Sequence, residues 1–207
     1  NANAGTGEQG LQNATECCQI LAECLGYEAS EVLPYSTGVI GEQLPVQAFK
    51  QAIPNCVMNL SSDADAWERA AKTIMTTDTV HKLFSRKVEI AGYEVSITGM
   101  SKGAGMIRPD MAPMLAYIAT DAVIAQPVLQ KLLNESTRLS FNRITVDGDT
   151  STNDACALLA TGTAKMVTIT ENSREYNQFS AALTGLMQDL AQAIIRDAEG
   201  ATKFITI

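Results

Sequence analysis

VEIAGYEVSITGMSKGAG, residues 88–105, holds two arms of β-branched and aromatic residues around Ala91-Gly92. Val88 and Ile90 before the turn, and Tyr93, Val95 and Ile97 after it, alternate with polar residues, the pattern of an antiparallel hairpin on a two-residue turn. The second arm runs into Gly99–Gly105, a loop that sets Lys102 among small residues. Downstream, Met114 to Ala119 is an apolar run of strand length, Gln126 to Leu139 follows the helical period after Pro127, and Phe141 to Val146 returns to strand composition. A strand, helix, strand succession implies a crossover. Hairpin and crossover together predict the α/β class, with mixed β-sheets packed against helices.

Helical spacing recurs towards both ends. Leu11, Ala14, Cys17, Cys18, Leu21, Cys24 and Leu25 share one period, with Gly26 as terminator. Tyr176, Phe179, Leu183, Leu186, Leu190 and Ile194 mark a long amphipathic helix from about Ser173 to Asp197. Pro45 opens a helix, and Ser62 or Asp63 caps another that carries Trp67, Ala70, Ala71 and Ile74. Val32 to Gly41 reads as a short strand entering a glycine-rich loop, and Lys203 to Ile207 as a strand stopped in mid-course. Asn153 to Thr161 is apolar but too short for periodicity to separate helix from buried strand. With no initiator Met before Asn1, residues 1–207 read as one α/β unit cut from the interior of a longer chain.

Composition removes several classes of function. Asp and Glu number 23 against 15 Lys and Arg, a net charge of −8 without a basic cluster, so nucleic acid is not an expected partner. No apolar run approaches the roughly 18 residues of a membrane span. Cys17, Cys18, Cys24, Cys56 and Cys156 are odd in number and form no CxxC pair, which reads as buried thiols of a reducing compartment and places the protein in the cytoplasm. His81 is the one histidine, so a multi-histidine metal site is excluded, and it reads as a surface or partly buried residue. Val146 to Asp154 is dense in oxygen ligands but lacks the spaced acids and closing Glu of a calcium loop, and reads as turns and N-caps.

Three loops remain as candidate sites. Tyr35 to Gly41 combines hydroxyls with glycines that let a backbone approach a ligand, which suits an oxyanion hole as well as an ordinary turn. Met75 to Thr79 follows a helix with hydroxyls suited to a carboxylate, or to helix punctuation. Lys102-Gly103-Ala104-Gly105 fits neither a Walker loop nor a dinucleotide fingerprint, but a lysine among small residues presents its ammonium to a carboxylate or oxyanion.

Six phrases in order carry a more specific signal: NANAGTGEQG (1–10), STGVIGE (36–42), MTTDT (75–79), SKGAGMI (101–107), TVDGDTSTND (145–154) and EGATKFI (199–205). Together they resemble the ornithine acetyltransferase family, also called bifunctional glutamate N-acetyltransferase. The resemblance implies an αββα, N-terminal-nucleophile-like architecture and a cytoplasmic enzyme of arginine biosynthesis without metal or organic cofactor. Such enzymes move an acetyl group from N-acetylornithine to glutamate by a ping-pong route. The precursor cuts itself before a threonine, which becomes the acyl-carrying nucleophile with its own α-amine as base. By this resemblance Thr37 and Gly38 form the oxyanion hole, and Thr76, Lys102 and Glu199 line the substrate pocket. Lys102 suits an anionic group and Glu199 the ammonium of ornithine. The implied partners are these small molecules and, in a homo- or hetero-oligomer, further segments of the same precursor.

One position departs from the pattern. Where the family reads Met-Ala-Thr-Met-Leu, this chain has Met111-Ala112-Pro113-Met114-Leu115. Proline has no hydroxyl to drive the acyl shift at Ala112–Pro113 and none to be acetylated. The expectation is a chain uncleaved at 112/113 with transfer lost or impaired. The alternative is a non-catalytic homologue that binds an amino acid or serves as an assembly partner.

Overall fold

Helix α1 (Gly7–Leu25) carries Glu8 in its first turn and ends on Gly26, as its apolar period predicts. Its buried side includes Cys17, Cys18 and Ala22, and α2 (Val46–Met58) packs against it after Pro45. Helix α3 (Ala64–Thr73) starts where the Asp63 carboxylate accepts the Ala66 N–H at 2.6 Å. The computed structural model describes residues 1–108 and 114–207 and divides into two compact units, Asn1–Trp67 and Glu68–Ile207.

The start of α1 is tightly built. Asn3 Oδ1 accepts the Thr6 hydroxyl at 3.0 Å, and Asn3 Nδ2 donates to the Gly10 carbonyl at 3.0 Å. A Cβ on Gly10 would lie 1.9 Å from Thr6 Oγ1 and 2.7 Å from Asn3 Oδ1. Alanine gains about 1 kcal/mol of helix propensity, but overpacking costs about 1–3 kcal/mol and breaks the Asn3–Thr6 contact. Gly10→Ala is therefore expected to lower stability in urea unfolding; a stability gain would contradict this reading of the turn.

The second unit is built on one sheet. Ala91 and Gly92, with φ of 52° and 82°, form the two-residue turn whose twist matches its strands. They join β1 (Lys82–Ile90) to β2 (Tyr93–Lys102), paired antiparallel from Lys82↔Ser101 to Ile90↔Tyr93. β2 pairs antiparallel with β3 (Leu115–Thr120), and β3 pairs parallel with β4 (Ala155–Ala160). The order is β1-β2-β3-β4, and α4 (Gln126–Leu139) lies in the β3–β4 crossover. The class is mixed α/β, as hairpin plus crossover requires.

Helix α5 (Arg174–Arg196) lies along β1 and β2. Ser173 caps it, its hydroxyl accepting the Tyr176 N–H at 3.0 Å. Its inward face, Tyr176, Phe179, Leu183, Leu186, Met187, Leu190, Ala191 and Ile194, joins Val95, Ile97 and Ile118 of the sheet in the core. The period read from the sequence is the buried stripe.

Four expectations are corrected. Val32 to Gly41 forms no strand: Ala29–Glu31 is a 3-10 turn, and the loop beyond bonds to the first residues, Ala2 N–H to Val39 O at 2.9 Å and Gly41 N–H to Ala4 O at 2.8 Å. Pro34 and the glycines at 38 and 41 interrupt any regular ladder. Phe141 to Val146 is a 3-10 turn, Phe141–Arg143, with irregular backbone after it; Phe141 turns into the core, and the returning strand is the ambiguous segment, as β4. Residues 201–207 form no strand, and the Phe204 ring lies under the Arg196 guanidinium, 4.3 Å from its centre. Of the cysteines only Cys17 and Cys18 are buried; Cys24 and Cys56 are exposed and Cys156 is half-buried. Cys56 sits on α2, which buries none of its residues. No helix among the described residues is long and apolar enough to cross a membrane.

Candidate functional site: a buried ionic network under a lysine loop

After α3 the chain turns through Met75–Thr79 and puts Asp78 in the interior, its side chain fully buried. Burying a carboxylate is tolerated only if it is paired and hydrogen-bonded. Asp78 Oδ1 accepts Lys82 Nζ at 2.6 Å and the Gly103 N–H at 2.7 Å, while Oδ2 accepts the Thr76 N–H at 3.2 Å. Lys82, also fully buried, reaches Asp197 Oδ2 at 2.7 Å and the Val80 carbonyl at 3.2 Å. Asp197 closes α5 and also accepts the Thr79 N–H at 3.0 Å and the Thr79 hydroxyl. Burial pushes both carboxyls up, but the hydrogen bonds and charge of Lys82, helped by the backbone donors, outweigh it and hold both below the usual carboxylate range.

This network anchors the loop after β2. Lys102 ends the strand with its side chain buried, and its ammonium donates to Thr76 Oγ1 at 3.4 Å. Desolvation lowers the Lys102 pKa against the raising fields of Asp78 and Asp154. Glu199, exposed just beyond α5, binds the same loop through its N–H to the Ala104 carbonyl at 2.8 Å. Its carboxylate stands over Gly105, where a Cβ would meet Oε2 at 2.7 Å. Asp147 holds the far side of the loop, accepting the N–H groups of Met106 and Ile107. Val146 to Asp154 thus does serve as turn punctuation, with Asp147 also accepting the Asp149 N–H at 3.0 Å.

The structure therefore gathers Thr76, Lys102 and Glu199 around residues 102–105. Thr37 and Gly38 belong to the other unit and are held against its first residues. Ser36 Oγ donates to the Ala2 carbonyl at 2.7 Å, and Gly38, at φ 130°, passes so close that a Cβ would lie 3.0 Å from the Asn1 nitrogen. Only glycine meets both demands there. Ala112 and Pro113 lie outside the described residues. His81 is half-buried, its Nε2 3.8 Å from Glu68. Among the described residues, no three His, Cys, Asp or Glu side chains form a group able to hold a metal ion. Lys82 and Asp197 are central here and went unmarked in the sequence, because their 115-residue separation leaves no local pattern.

Comparison with known proteins points to one class, the bifunctional proteins of arginine biosynthesis. The chain is 53% identical over 208 residues to the arginine biosynthesis bifunctional protein ArgJ of Pseudomonas syringae pv. tomato, matching 100% of this chain and 51% of the relative. It is 50% identical over 207 residues to the protein of the same name from Methylococcus capsulatus, covering 100% of this chain and 50% of the relative. The crystal structure of arginine biosynthesis bifunctional protein ArgJ from Bacillus halodurans aligns with 52% of this chain and 56% of its own, at 34% identity and a TM-score of 0.48. The chain spans about half the length of the curated relatives it matches. The ArgJ family model matches residues 1–207, and the chain belongs to the ArgJ family. The family read from six co-linear phrases is the one the whole chain matches.

Proposed function

We propose that this chain supplies the lysine-loop pocket for acetyl transfer between N-acetylornithine and glutamate in arginine biosynthesis, and that Pro113 leaves it without the acyl-carrying step. The observation that carries the reading is Lys102. A buried ammonium whose one hydrogen bond among the described residues is a 3.4 Å contact to Thr76 is completed by a ligand carboxylate. Glu199, exposed over the same loop, suits the ornithine ammonium, and the Thr37-Gly38 turn suits a developing oxyanion. The protein works in the cytoplasm without metal or organic cofactor, assembled with further segments of the same precursor.

In the family route a threonine oxygen attacks the acetyl carbonyl, the ornithine amine leaves with the proton, and the glutamate amine then attacks the ester. At position 113 there is no oxygen to begin that exchange. The expected behaviour is binding without turnover. Intact-mass measurement after incubation with N-acetylornithine is expected to show one unmodified chain, while calorimetry registers binding that Lys102→Met weakens about tenfold or more. Pro113→Thr is expected to yield two chains divided at residue 112. An acetyl adduct or cleavage in the unaltered protein, or no binding at all, would overturn the reading.

A further inference from the structure

Gly10, Gly99, Gly105 and Gly185 have no positive φ, so backbone conformation demands a glycine at none of them. Each instead leaves room for a side chain. At Gly10 the space belongs to Thr6 and Asn3, at Gly99 to Leu186, and at Gly185 to the Arg86 guanidinium, which pairs with Asp189. Those three contacts hold the fold together. At Gly105 the space belongs to the Glu199 carboxylate, whose Oε2, Cδ and Oε1 stand 2.7, 2.9 and 3.2 Å from where a Cβ would be. Glu199 is exposed, and among the described residues its carboxylate has no hydrogen-bond or ion-pair partner. The missing side chain at 105 therefore makes room for a charge that gives the fold no bond.

The main chain on both sides of this contact is fixed. The Glu199 N–H donates to the Ala104 carbonyl at 2.8 Å, the Ala201 N–H closes the turn 198–201 on the Ala198 carbonyl at 3.1 Å, and Asp197 just before it is bound to Lys82. Across the contact, Asp78 accepts the Gly103 N–H, and Asp147 accepts those of Met106 and Ile107. A methyl at 105 would thus move the Glu199 side chain rather than the backbone. The far end of an exposed, unbonded side chain changes rotamer at little cost to stability, and the negative charge leaves the loop with it. Lys102 lies three residues before Gly105, within about 11 Å along the chain. A ligand held by its carboxylate on Lys102 therefore gains or loses a partner for its cation according to where the Glu199 carboxylate stands.

We propose that Gly105 is a specificity-setting position that acts through Glu199: its bare backbone lets the Glu199 carboxylate lie over the lysine loop, and this gives the pocket its preference for a ligand that carries an ammonium group. The inference rests on the assignment of the lysine loop as the ligand pocket. Gly105 itself touches no ligand group; it is a positioning residue, and its effect falls on the ratio between charged and uncharged ligands rather than on binding as a whole.

Calorimetric titration of the full chain with N-acetylornithine and with N-acetylnorvaline, the same acid without the side-chain amine, tests this. The unaltered protein is expected to bind N-acetylornithine about fivefold more tightly or better, the range between an exposed ion pair and a charged hydrogen bond. Gly105→Ala is expected to bring that ratio below about twofold, with N-acetylnorvaline affinity and the urea midpoint unchanged. Glu199→Gln is expected to remove the preference as well, and Gly105→Ala added to it to change nothing further, since the two act through one carboxylate. A preference that survives Gly105→Ala, its absence from the unaltered protein, or equal weakening of both acids by the alanine would overturn the proposal, the last by showing that residue 105 shapes the loop and not the position of Glu199. Failure of the pocket assignment reads differently: neither acid binds, or Lys102→Met leaves the affinity of both untouched, and the proposal falls with it.

Discussion

Lys82→Met is expected to destabilise the protein by about 3–5 kcal/mol, the usual cost of breaking a buried ion pair from one side. The lysine side chain is fully buried, and it alone among the described side chains hydrogen-bonds both the Asp78 and Asp197 carboxylates, at 2.6 and 2.7 Å. Methionine matches its length and removes the charge, leaving two carboxylates in the interior with only neutral donors. The pH dependence separates this from loss of packing. In the unaltered protein both carboxyls have folded pKa values below the unfolded one, so their stabilisation is present above the unfolded value of about 4 and is lost as pH falls through the folded values. Without Lys82 burial is opposed by far less, the folded pKa values rise, and acid unfolding moves to higher pH. Urea midpoints measured between about pH 3 and 7 report both effects. A variant that loses stability equally at every pH would show that Lys82 acts as packing rather than as charge. Because Asp78 also holds the Gly103 and Thr76 N–H groups, the lysine loop is expected to loosen with the network, seen as faster amide exchange at Gly103.

Leu186→Ala is expected to cost about 2–5 kcal/mol, with a companion effect at Gly99 that tests the contact itself. Leu186 is fully buried on α5, and a Cβ on Gly99 of β2 would stand 2.8 Å from its Cδ2 and 3.1 Å from Ile118 and Leu190. The helix rests directly on a strand position that has no side chain. Gly99→Ala alone is expected to cost about 1–3 kcal/mol by overpacking. Combined with Leu186→Ala, the added methyl enters the space the leucine vacates, and the double variant is expected to be more stable than the sum of the singles predicts, by about 0.5–3 kcal/mol. Strict additivity would mean that α5 does not bear on the sheet at this point.

What could be read in advance followed the range of the signal. The stripe of α5, the end of α1 at Gly26 and the turn at Ala91-Gly92 each depend on residues a few positions apart, and each stands where the pattern put it. ACALLA at 155–160 carries no period long enough to classify it; its pairing with β3, whose residues lie 40 positions earlier, makes it a strand. Phe141 to Val146 failed in the opposite sense, since strand-forming composition yielded to the burial of Phe141 beneath the crossover helix. For the site, the phrases containing Thr76, Lys102 and Glu199 were visible, and their meeting at one loop was not.

The amino-acid sequence by itself determined the family, the helices and hairpin, and the absence of a hydroxyl at position 113, because motif order, helical and strand periods and side-chain chemistry are all properties of the chain read along its length. Only the tertiary structure decided that Lys82 and Asp197 are the buried ionic support of the lysine loop rather than surface charges. A charge is costly or useful according to what surrounds it through space, and folding brings those surroundings together from segments more than a hundred residues apart.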